Sequence, residues 1–305
     1  MTSPATPSRS DGSDGLVAPG ERTSPFPEGR SSLTPGRTSL VPPAPVVSPW
    51  QKYIDSSRQS LDDLGGMTML LRDATVATFA RPFELKEIIY QLESLGLKSV
   101  TIALLTALFV GMVMTVQFAF GLERFGATDY VGRVIGLSIT RELAPALTAL
   151  VVGSRIGSGM AAEIGSMAVT EQVDAIRALG ADPVKKLVVP RLIACLILMP
   201  VLTVFADVVG FAGAMGVAKL QFDTPMGFFF RTALESITMQ DFMSGIGKSP
   251  FFGVTIAIIG CYYGMNTRGG TEGVGRSTTR TVVAAAIAVL VADFFLTKLF
   301  LSVKI

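Results

Sequence analysis

The residues of this chain that could do chemistry are charged side chains within or beside long apolar segments. A charge near the middle of a membrane costs about 2.5 to 3.5 kcal/mol on an insertion scale, so it requires a partner or water. These residues are Arg155, Glu163, Asp207 and Asp293 within the segments, and Arg141, Glu142 and Lys248 at segment ends. Two interpretations are open: internal pairing that fixes helix packing, or a polar cavity beside apolar walls.

The residue inventory excludes most catalytic chemistry. The chain contains no histidine, which removes histidine-activated nucleophiles and HExxH-type zinc sites. Its two cysteines, Cys195 and Cys261, lie in apolar runs and are expected to be small buried residues. The GKS at 247–249 is similar to the end of a phosphate-binding loop, but Phe242 stands where that loop requires its first glycine. We therefore expect no metal, cofactor or ATP site on this chain, so an ATP-driven role requires another polypeptide.

The composition indicates which elements position these charges. The 305-residue chain is 49% hydrophobic and only 16% charged, whereas soluble domains are about 25% charged. Its mean hydropathy of +0.51 is typical of a polytopic membrane protein. The net charge of +2 is too small to indicate a nucleic-acid or acidic partner.

Five apolar segments are long enough to cross a bilayer as helices. They are residues 99–122, 143–168, 192–218, 249–267 and 281–301. The segment 131–139 could extend the second span or form a re-entrant piece. Lysine and arginine are more frequent in the loops that lie on the same side of the membrane as the N-terminus than in the loops on the opposite side. This bias predicts a cytoplasmic N-terminus and an external C-terminus. The predicted fold class is an all-α polytopic membrane protein with five transmembrane helices in a domain of residues 97–305.

Two other zones precede the spans. Residues 1–60 are predicted to be a disordered, Pro/Ser-rich cytoplasmic tail, because the first 49 residues hold ten of the seventeen prolines. An organelle transit peptide is the alternative, although four acidic residues offset the arginines there. Residues 61–96 predict two amphipathic helices separated by Pro82. These helices would lie in the headgroup plane or form a small soluble hairpin.

A short charged helix is predicted between the second and third spans, within TEQVDAIRALGADP (170–183). At 100° per residue, Val173, Ile176 and Leu179 form one stripe, opposite Glu171, Asp174 and Arg177. Thr170 can cap its start, Gly180 suits the left-handed position after its end, and Pro183 prevents its resumption. The helix is roughly 15 Å long and cannot span. It is either a lever that a soluble partner grips or a loop helix that packs on its own bundle.

Several motifs occur in an order that resembles one family of membrane proteins. They are RELAP (141–145), GSRIGS (153–158), AEIG (162–165), EQVDAIRALGADP (171–183), PR (190–191), GRSTTRTVV (275–283) and ADFFLT (292–297). With these motifs, residues 65–305 resemble the MlaE/YrbE family, the permease subunits of MCE-associated ABC lipid transporters. The tail before them lies outside this resemblance.

The resemblance implies an assembly and a location. The permease would be a homodimer in the bacterial inner membrane, with an ATPase pair on the cytoplasmic side and an MCE-domain protein on the periplasmic side. The charged helix would be the coupling helix on which the ATPase sits. Its coupling residues are expected to be Glu171, Asp174, Ala175, Arg177, Leu179, Gly180 and Pro183.

The resemblance also assigns Arg141, Glu142 and Lys248 to a lipid-binding cavity. If they converge, a headgroup phosphate would meet Arg141 and Lys248 while Glu142 restrains their positions. The acyl chains would then lie against Leu105, Phe109, Met112 and Val116. The alternative function is a secondary transporter or channel without an ATPase, in which the intramembrane charges form an ion path.

Overall fold

The architecture comes from a computed structural model that describes residues 49–79 and 85–303, and side chains within them except at 49–57, 60 and 303. The described residues contain helices and no strand, which confirms the all-α prediction. The first 48 residues of the predicted tail lie outside the described residues, as does Pro82. Residues 49–60, which we assigned to that tail, belong to the first helix.

Nine α-helices follow one another along the described chain. Their bounds are α1 Pro49–Phe79, α2 Leu85–Glu123, α3 Val131–Ser138, α4 Ala144–Val169, α5 Gln172–Ala178, α6 Val189–Phe222, α7 Met226–Ser236, α8 Met239–Met265 and α9 Gly270–Val303. Short π-helical segments at Ile139–Leu143 and Val184–Val188 lead into α4 and α6.

The five predicted spans are confirmed, and each spanning segment is longer than its apolar run. The segments long and apolar enough to cross a membrane are Leu85–Glu123, Thr128–Val169, Val184–Phe222, Met239–Met265 and Gly270–Ser302. Residues 131–139 extend the second span, because α3 continues through the π-helical segment into α4. The second amphipathic segment is not a separate interfacial helix. Its residues form the first turns of α2, since nothing between Leu85 and Ser99 breaks the helix.

Close backbone approaches hold the spans together. The main packing pairs are α2 with α6, α4 with α8 and with α9, and α6 with α8. A side chain at Gly111 would lie 2.0 Å from the Gly210 carbonyl oxygen, and one at Gly260 would lie 2.8 Å from that of Gly157. Glycine is therefore required at these crossings, because a side chain there would force α2 from α6 and α8 from α4.

The helix α1 is fastened to the end of α8. The hydroxyl groups of Tyr262 and Tyr263 each donate a hydrogen bond of 3.2 Å to the two carboxylate oxygens of Asp63. Leu70 and Ala74 of α1 are buried in the main core cluster of the bundle. Much of the remaining apolar surface of α1, including Met69 and Val76, is exposed. This pattern is that of an amphipathic helix with one face on the protein.

Candidate functional site

A break in regular α-helical hydrogen bonding positions the first charged pair. Arg141 and Glu142 lie in the π-helical segment, where the Ala144 amide donates to the Ile139 carbonyl. Pro145 has no amide hydrogen, so it cannot donate to the Arg141 carbonyl as the fourth residue on would in a helix. That carbonyl instead accepts a hydrogen bond of 3.2 Å from Lys248 Nζ. Single π turns within α-helices occur frequently at functional sites.

Lys248 is the centre of a cluster that joins the second, fourth and fifth spans. Its side chain is 0% exposed, and its Nζ lies 2.8 Å from Glu142 Oε2 and 3.3 Å from Asp293 Oδ1. Nζ also donates to Thr297 Oγ1 at 2.6 Å, and this hydroxyl contacts both carboxylate oxygens of Glu142. The ammonium is thus surrounded by oxygen acceptors and held by two carboxylates.

The predicted convergence of Glu142 and Lys248 is therefore present, but our placement of these residues at the ends of spans was wrong. Arg141 and Glu142 lie inside the continuous helical second span, which begins at Thr128. The helix α8 begins at Met239, about 14 Å before Lys248 along the helix axis. The prediction placed the start of each span at the start of its charge-free run, but both helices begin several residues earlier, in turns that contain polar residues.

The Arg141 side chain points to a different acid. Its Nε lies 2.9 Å from Asp241 Oδ1, and the two side chains are 40% and 10% exposed. Asp241 also caps α8, since its Oδ2 accepts from the Thr238 amide while its own amide donates to the Thr238 hydroxyl. The expectation that the Arg141 and Lys248 side chains point at one site was therefore wrong for this conformation, because Lys248 contacts Arg141 only through its backbone carbonyl.

Sequence reasoning missed two members of this site. Asp241 carried a usable signal, because Thr238 three residues before it forms a capping box with it. Thr297 carried another, because it lies one turn after Asp293 on α9 and so shares its face. Asp293 was recognised only as an intramembrane charge, and the structure assigns it to the Lys248 cluster.

A cavity of about 230 Å³ adjoins the cluster. It is lined by Leu137, Ser138, Arg141, Glu142, Ser244, Thr297 and Leu301. The lining combines a guanidinium, a carboxylate and hydroxyl groups with two leucines at the wall. Such an amphipathic cavity can hold a charged or polar headgroup beside an apolar chain.

The residues predicted to contact acyl chains do not line this cavity. Leu105 and Phe109 lie on the outer face of α2 and are 50% and 57% exposed, while Met112 and Val116 are half-buried. The buried face of α2 carries smaller residues such as Ala103, Gly111 and Ala119. Side-chain size explains why the large residues of α2 lie on its outer face, because the close crossing of α2 with α6 admits only small side chains.

The other intramembrane charges have separate environments. Arg155 Nη1 donates to the buried Ser99 hydroxyl at 2.9 Å. Glu163 Oε1 lies 2.9 Å from Nη2 of Arg191, whose side chain is 3% exposed. Neither carboxylate oxygen of the buried Asp207 has a hydrogen-bond partner among the described residues. Internal pairing therefore accounts for Glu163, as it does for Asp293, but not for Asp207.

The short helix α5 is present between the second and third spans, and most of it is exposed. Val173 is 4% exposed and attaches the helix to the bundle, while Leu179 is 86% exposed, so the predicted apolar stripe is only partly covered. Gly180 adopts the expected left-handed conformation with φ of +77°. On the polar side, Arg177 and Asp174 form an exposed pair at 2.8 Å.

The predicted cap of α5 was wrong. Thr170 caps nothing there, because its hydroxyl donates to the Ser166 carbonyl at 2.9 Å and so closes the end of α4. Glu171 precedes α5 in a left-handed conformation with φ of +61°, which is uncommon for a residue with a side chain. After the helix, the Asp182 carboxylate accepts a hydrogen bond of 2.9 Å from the Val184 amide at the start of the next segment. The helix is thus sharply bounded on both sides.

Comparison with known proteins matches most of the chain. A sequence profile described as "Permease MlaE" matches residues 88–299. A probable ABC transporter permease protein of Synechocystis is 46% identical over 209 residues, which are 68% of this chain and 80% of that protein. One of Rickettsia felis is 40% identical over 241 residues, 78% of this chain and 92% of that protein. The chloroplastic protein TRIGALACTOSYLDIACYLGLYCEROL 1 of Arabidopsis thaliana is 40% identical over 210 residues, 69% of this chain but only 60% of that protein.

Proposed function

Because this chain belongs to the MlaE permease family, we propose that it is the membrane subunit of an ATP-driven transporter of phospholipid or a related lipid. It is a multi-pass membrane protein with five helices long and apolar enough to span. In the proposed assembly this chain holds the lipid, a separate ATPase binds ATP, and an MCE-domain protein on the far side delivers or receives the lipid.

The observation that carries this proposal is the amphipathic cavity beside the Lys248 cluster. Arg141 lines the cavity, and its side chain is 40% exposed, so its guanidinium can exchange Asp241 for a headgroup phosphate. Leu137 and Leu301 supply apolar wall for an acyl chain. Lys248 is fully buried among its acceptors, so its role is to fix Glu142 at the cavity wall.

Two copies of the chain would complete the lipid site. The cavity of one chain, about 230 Å³, is smaller than the roughly 300 to 1,000 Å³ of sites for small molecules. A phospholipid with two acyl chains is larger than most such molecules. We therefore infer a homodimer in which the cavities of the two copies join.

The relatives support a lipid substrate and an ATPase partner. The Arabidopsis relative is named for trigalactosyldiacylglycerol, which is a glycolipid. The Synechocystis and Rickettsia relatives are named as probable ABC transporter permeases, a class that works with an ATPase. The exposed α5, with Leu179 and the Asp174–Arg177 pair, offers the surface on which that ATPase would dock.

A secondary transporter or channel remains the alternative function. Its ion path would use Arg155, Glu163, Asp207 and Asp293. Only Asp207 favours it, because it is a buried acid with no hydrogen-bond partner among the described residues. Glu163 and Asp293 are engaged with Arg191 and Lys248, so a continuous path of available carboxylates is not supported.

The lipid site can be tested with two arginines of the same span. Arg141→Ala should lower the affinity of this cavity for phospholipid about tenfold and so reduce the co-purified amount, since loss of a charge-assisted contact costs about 1.5 to 3 kcal/mol. Arg133→Ala, on the exposed side of α3, is the matched control and should retain the parental amount. Phospholipid would be quantified by mass spectrometry after purification in mild detergent. Parental lipid in Arg141→Ala would place the substrate elsewhere.

The proposed orientation, with the N-terminus and α5 in the cytoplasm of a bacterial inner membrane, has its own test. In a background in which Cys195 and Cys261 are replaced, a cysteine at Ser302 should react with a membrane-impermeant thiol reagent added outside. A cysteine at Ser60 should react only after permeabilisation. The opposite pattern would move α5 to the exterior and remove the ATPase surface.

A further inference from the structure

A second polar cleft lies on the side of the bundle, between α2 and α9. The helix α4 forms its floor, because α4 packs against both helices while α2 and α9 make almost no packing contact with each other. The cleft has a volume of about 540 Å³, within the roughly 300 to 1,000 Å³ of ligand sites. Its charged and hydroxyl lining includes Lys98, Arg155, Ser94, Ser99, Thr278 and Thr279.

The two basic residues of the cleft are held by hydroxyl groups rather than by acids. Arg155 Nη1 donates to the Ser99 hydroxyl at 2.9 Å, and Ser99 is 0% exposed. Lys98 Nζ donates to the Ser94 hydroxyl at 3.3 Å. Neither cation forms an ion pair with an acid among the described residues. Most of the five N–H donors of a guanidinium therefore have no described protein partner here.

One acid lines the cleft, but its charge is already balanced. Glu163 Oε1 lies 2.9 Å from Arg191 Nη2, and the Arg191 side chain is 3% exposed. The Glu163–Arg191 pair is neutral as a whole. The cleft therefore carries the two positive charges of Lys98 and Arg155 in excess, next to an apolar environment that favours an anionic partner.

The cleft lies in the half of the bundle that carries α5. Lys98 immediately precedes the 24-residue charge-free stretch of residues 99–122, so it marks one boundary of the apolar layer. Thr278 and Thr279 lie near the start of α9, and Glu163 lies near the end of α4, just before α5. All of them belong to the end of the bundle that carries α5.

We propose that this cleft binds the phosphate-bearing headgroup of a phospholipid from the leaflet on the α5 side. Arg155, positioned by Ser99, contacts the phosphate oxygens through its remaining N–H groups, and Lys98 adds a second cation. The hydroxyl groups of Thr278 and Thr279 line the opposite wall. The cleft shares no lining residue with the cavity beside the Lys248 cluster. This proposal rests on the proposed lipid transport and adds a second lipid site to it.

Site-specific photocrosslinking in intact cells labelled with ³²P tests this site directly. A benzophenone amino acid at Val282, which lines the cleft, inserts into C–H bonds, so it captures a lipid but not inorganic phosphate. The same amino acid at Ile287, on the exposed face of α9, measures contact with bulk lipid. At Ser138 it measures the cavity beside the Lys248 cluster. Purified protein is then assayed for covalent ³²P on denaturing gels.

The double variant Lys98→Gln with Arg155→Gln should reduce the label at Val282 about tenfold or more, without changing the label at Ile287. Arg155→Lys should restore much of it because it keeps the charge. Arg124→Gln, which removes an exposed cation at the far end of α2, should have no effect. Excess inorganic phosphate added to permeabilised cells should leave the label in place.

Each of the other possible outcomes would reject one of the two proposed lipid sites or both. Unchanged label at Val282 in the double variant would reject the headgroup site in the cleft. The proposed function would still hold in that case if the label at Ser138 is lost in Arg141→Ala. Displacement by inorganic phosphate would identify a free-anion site and reject the lipid. Label at neither Val282 nor Ser138 above that at Ile287 would reject both lipid sites.

Discussion

Lys248→Met tests whether the buried ammonium holds three spans together. The substitution keeps the length of the side chain but leaves Glu142 and Asp293 without the cation that both contact, at 2.8 and 3.3 Å. Breaking a buried ion pair by removing one partner costs about 3 to 5 kcal/mol. The Glu142 and Asp293 side chains are 41% and 20% exposed, so water reaches them and the lower value, about 3 kcal/mol, is expected.

The assay is the thermal unfolding midpoint of the purified protein in detergent. A loss of about 3 kcal/mol corresponds to a decrease of roughly 5 °C for a chain of 305 residues. Lys219→Met removes a lysine from the exposed pair with Asp223 and should change the midpoint little. Neutralising the acids as well, with Glu142→Gln and Asp293→Asn, should recover at least half of the loss.

Two results would refute this reasoning. A midpoint for Lys248→Met equal to that of Lys219→Met would mean that the cluster contributes no stability. A triple variant no more stable than Lys248→Met would mean that the loss comes from packing around the side chain rather than from uncompensated carboxylates.

Three further predictions concern other parts of the molecule. Glu171→Lys should lower the lipid-dependent ATPase activity of the assembled transporter, and Glu171→Gln should lower it less. Gly180→Val should also lower this activity, because the left-handed conformation costs a β-branched residue about 1 to 2 kcal/mol or more. Full activity in all three variants would reject the role of α5 in coupling to the ATPase. Asp63→Ala should speed hydrogen exchange of α1 amides but not of α4 amides, because it removes two tyrosine hydrogen bonds, and unchanged exchange in α1 would show that the apolar face alone holds it. Asp207→Asn should raise the unfolding midpoint or leave it unchanged, since a buried carboxylate without a partner costs about 1 to 3 kcal/mol; a clear decrease would indicate a partner that forms only in the membrane.

The spans could be predicted from the sequence because one physical rule determines them. An apolar, charge-free run of about 20 residues has few alternatives to a membrane helix. Their true ends could not, because polar turns such as Met239–Gly247 before Lys248 continue the same helix. Hydropathy measures where the apolar layer begins, whereas helix ends depend on caps such as Thr238.

The candidate site was predictable in its residues but not in its pairings. The charges were found by their cost within apolar runs. Which acid meets which base depends on helix rotation and on Pro145, which frees the Arg141 carbonyl for Lys248. A single sequence contains neither the rotation nor the crossing points, so Arg141 was expected to share a headgroup phosphate with Lys248, and its contact with Asp241 was not foreseen.

The most direct test of the account is ATP-dependent lipid transfer by the reconstituted complex. The chain is purified with the ATPase and the MCE-domain protein that we propose as its partners and is placed in vesicles that contain a labelled phospholipid. Label bound to the MCE-domain protein is then measured. We expect a lipid transfer rate that requires ATP and falls about tenfold in Arg141→Ala but not in Arg133→Ala. Transport that proceeds without ATP and follows an imposed ion gradient would contradict it.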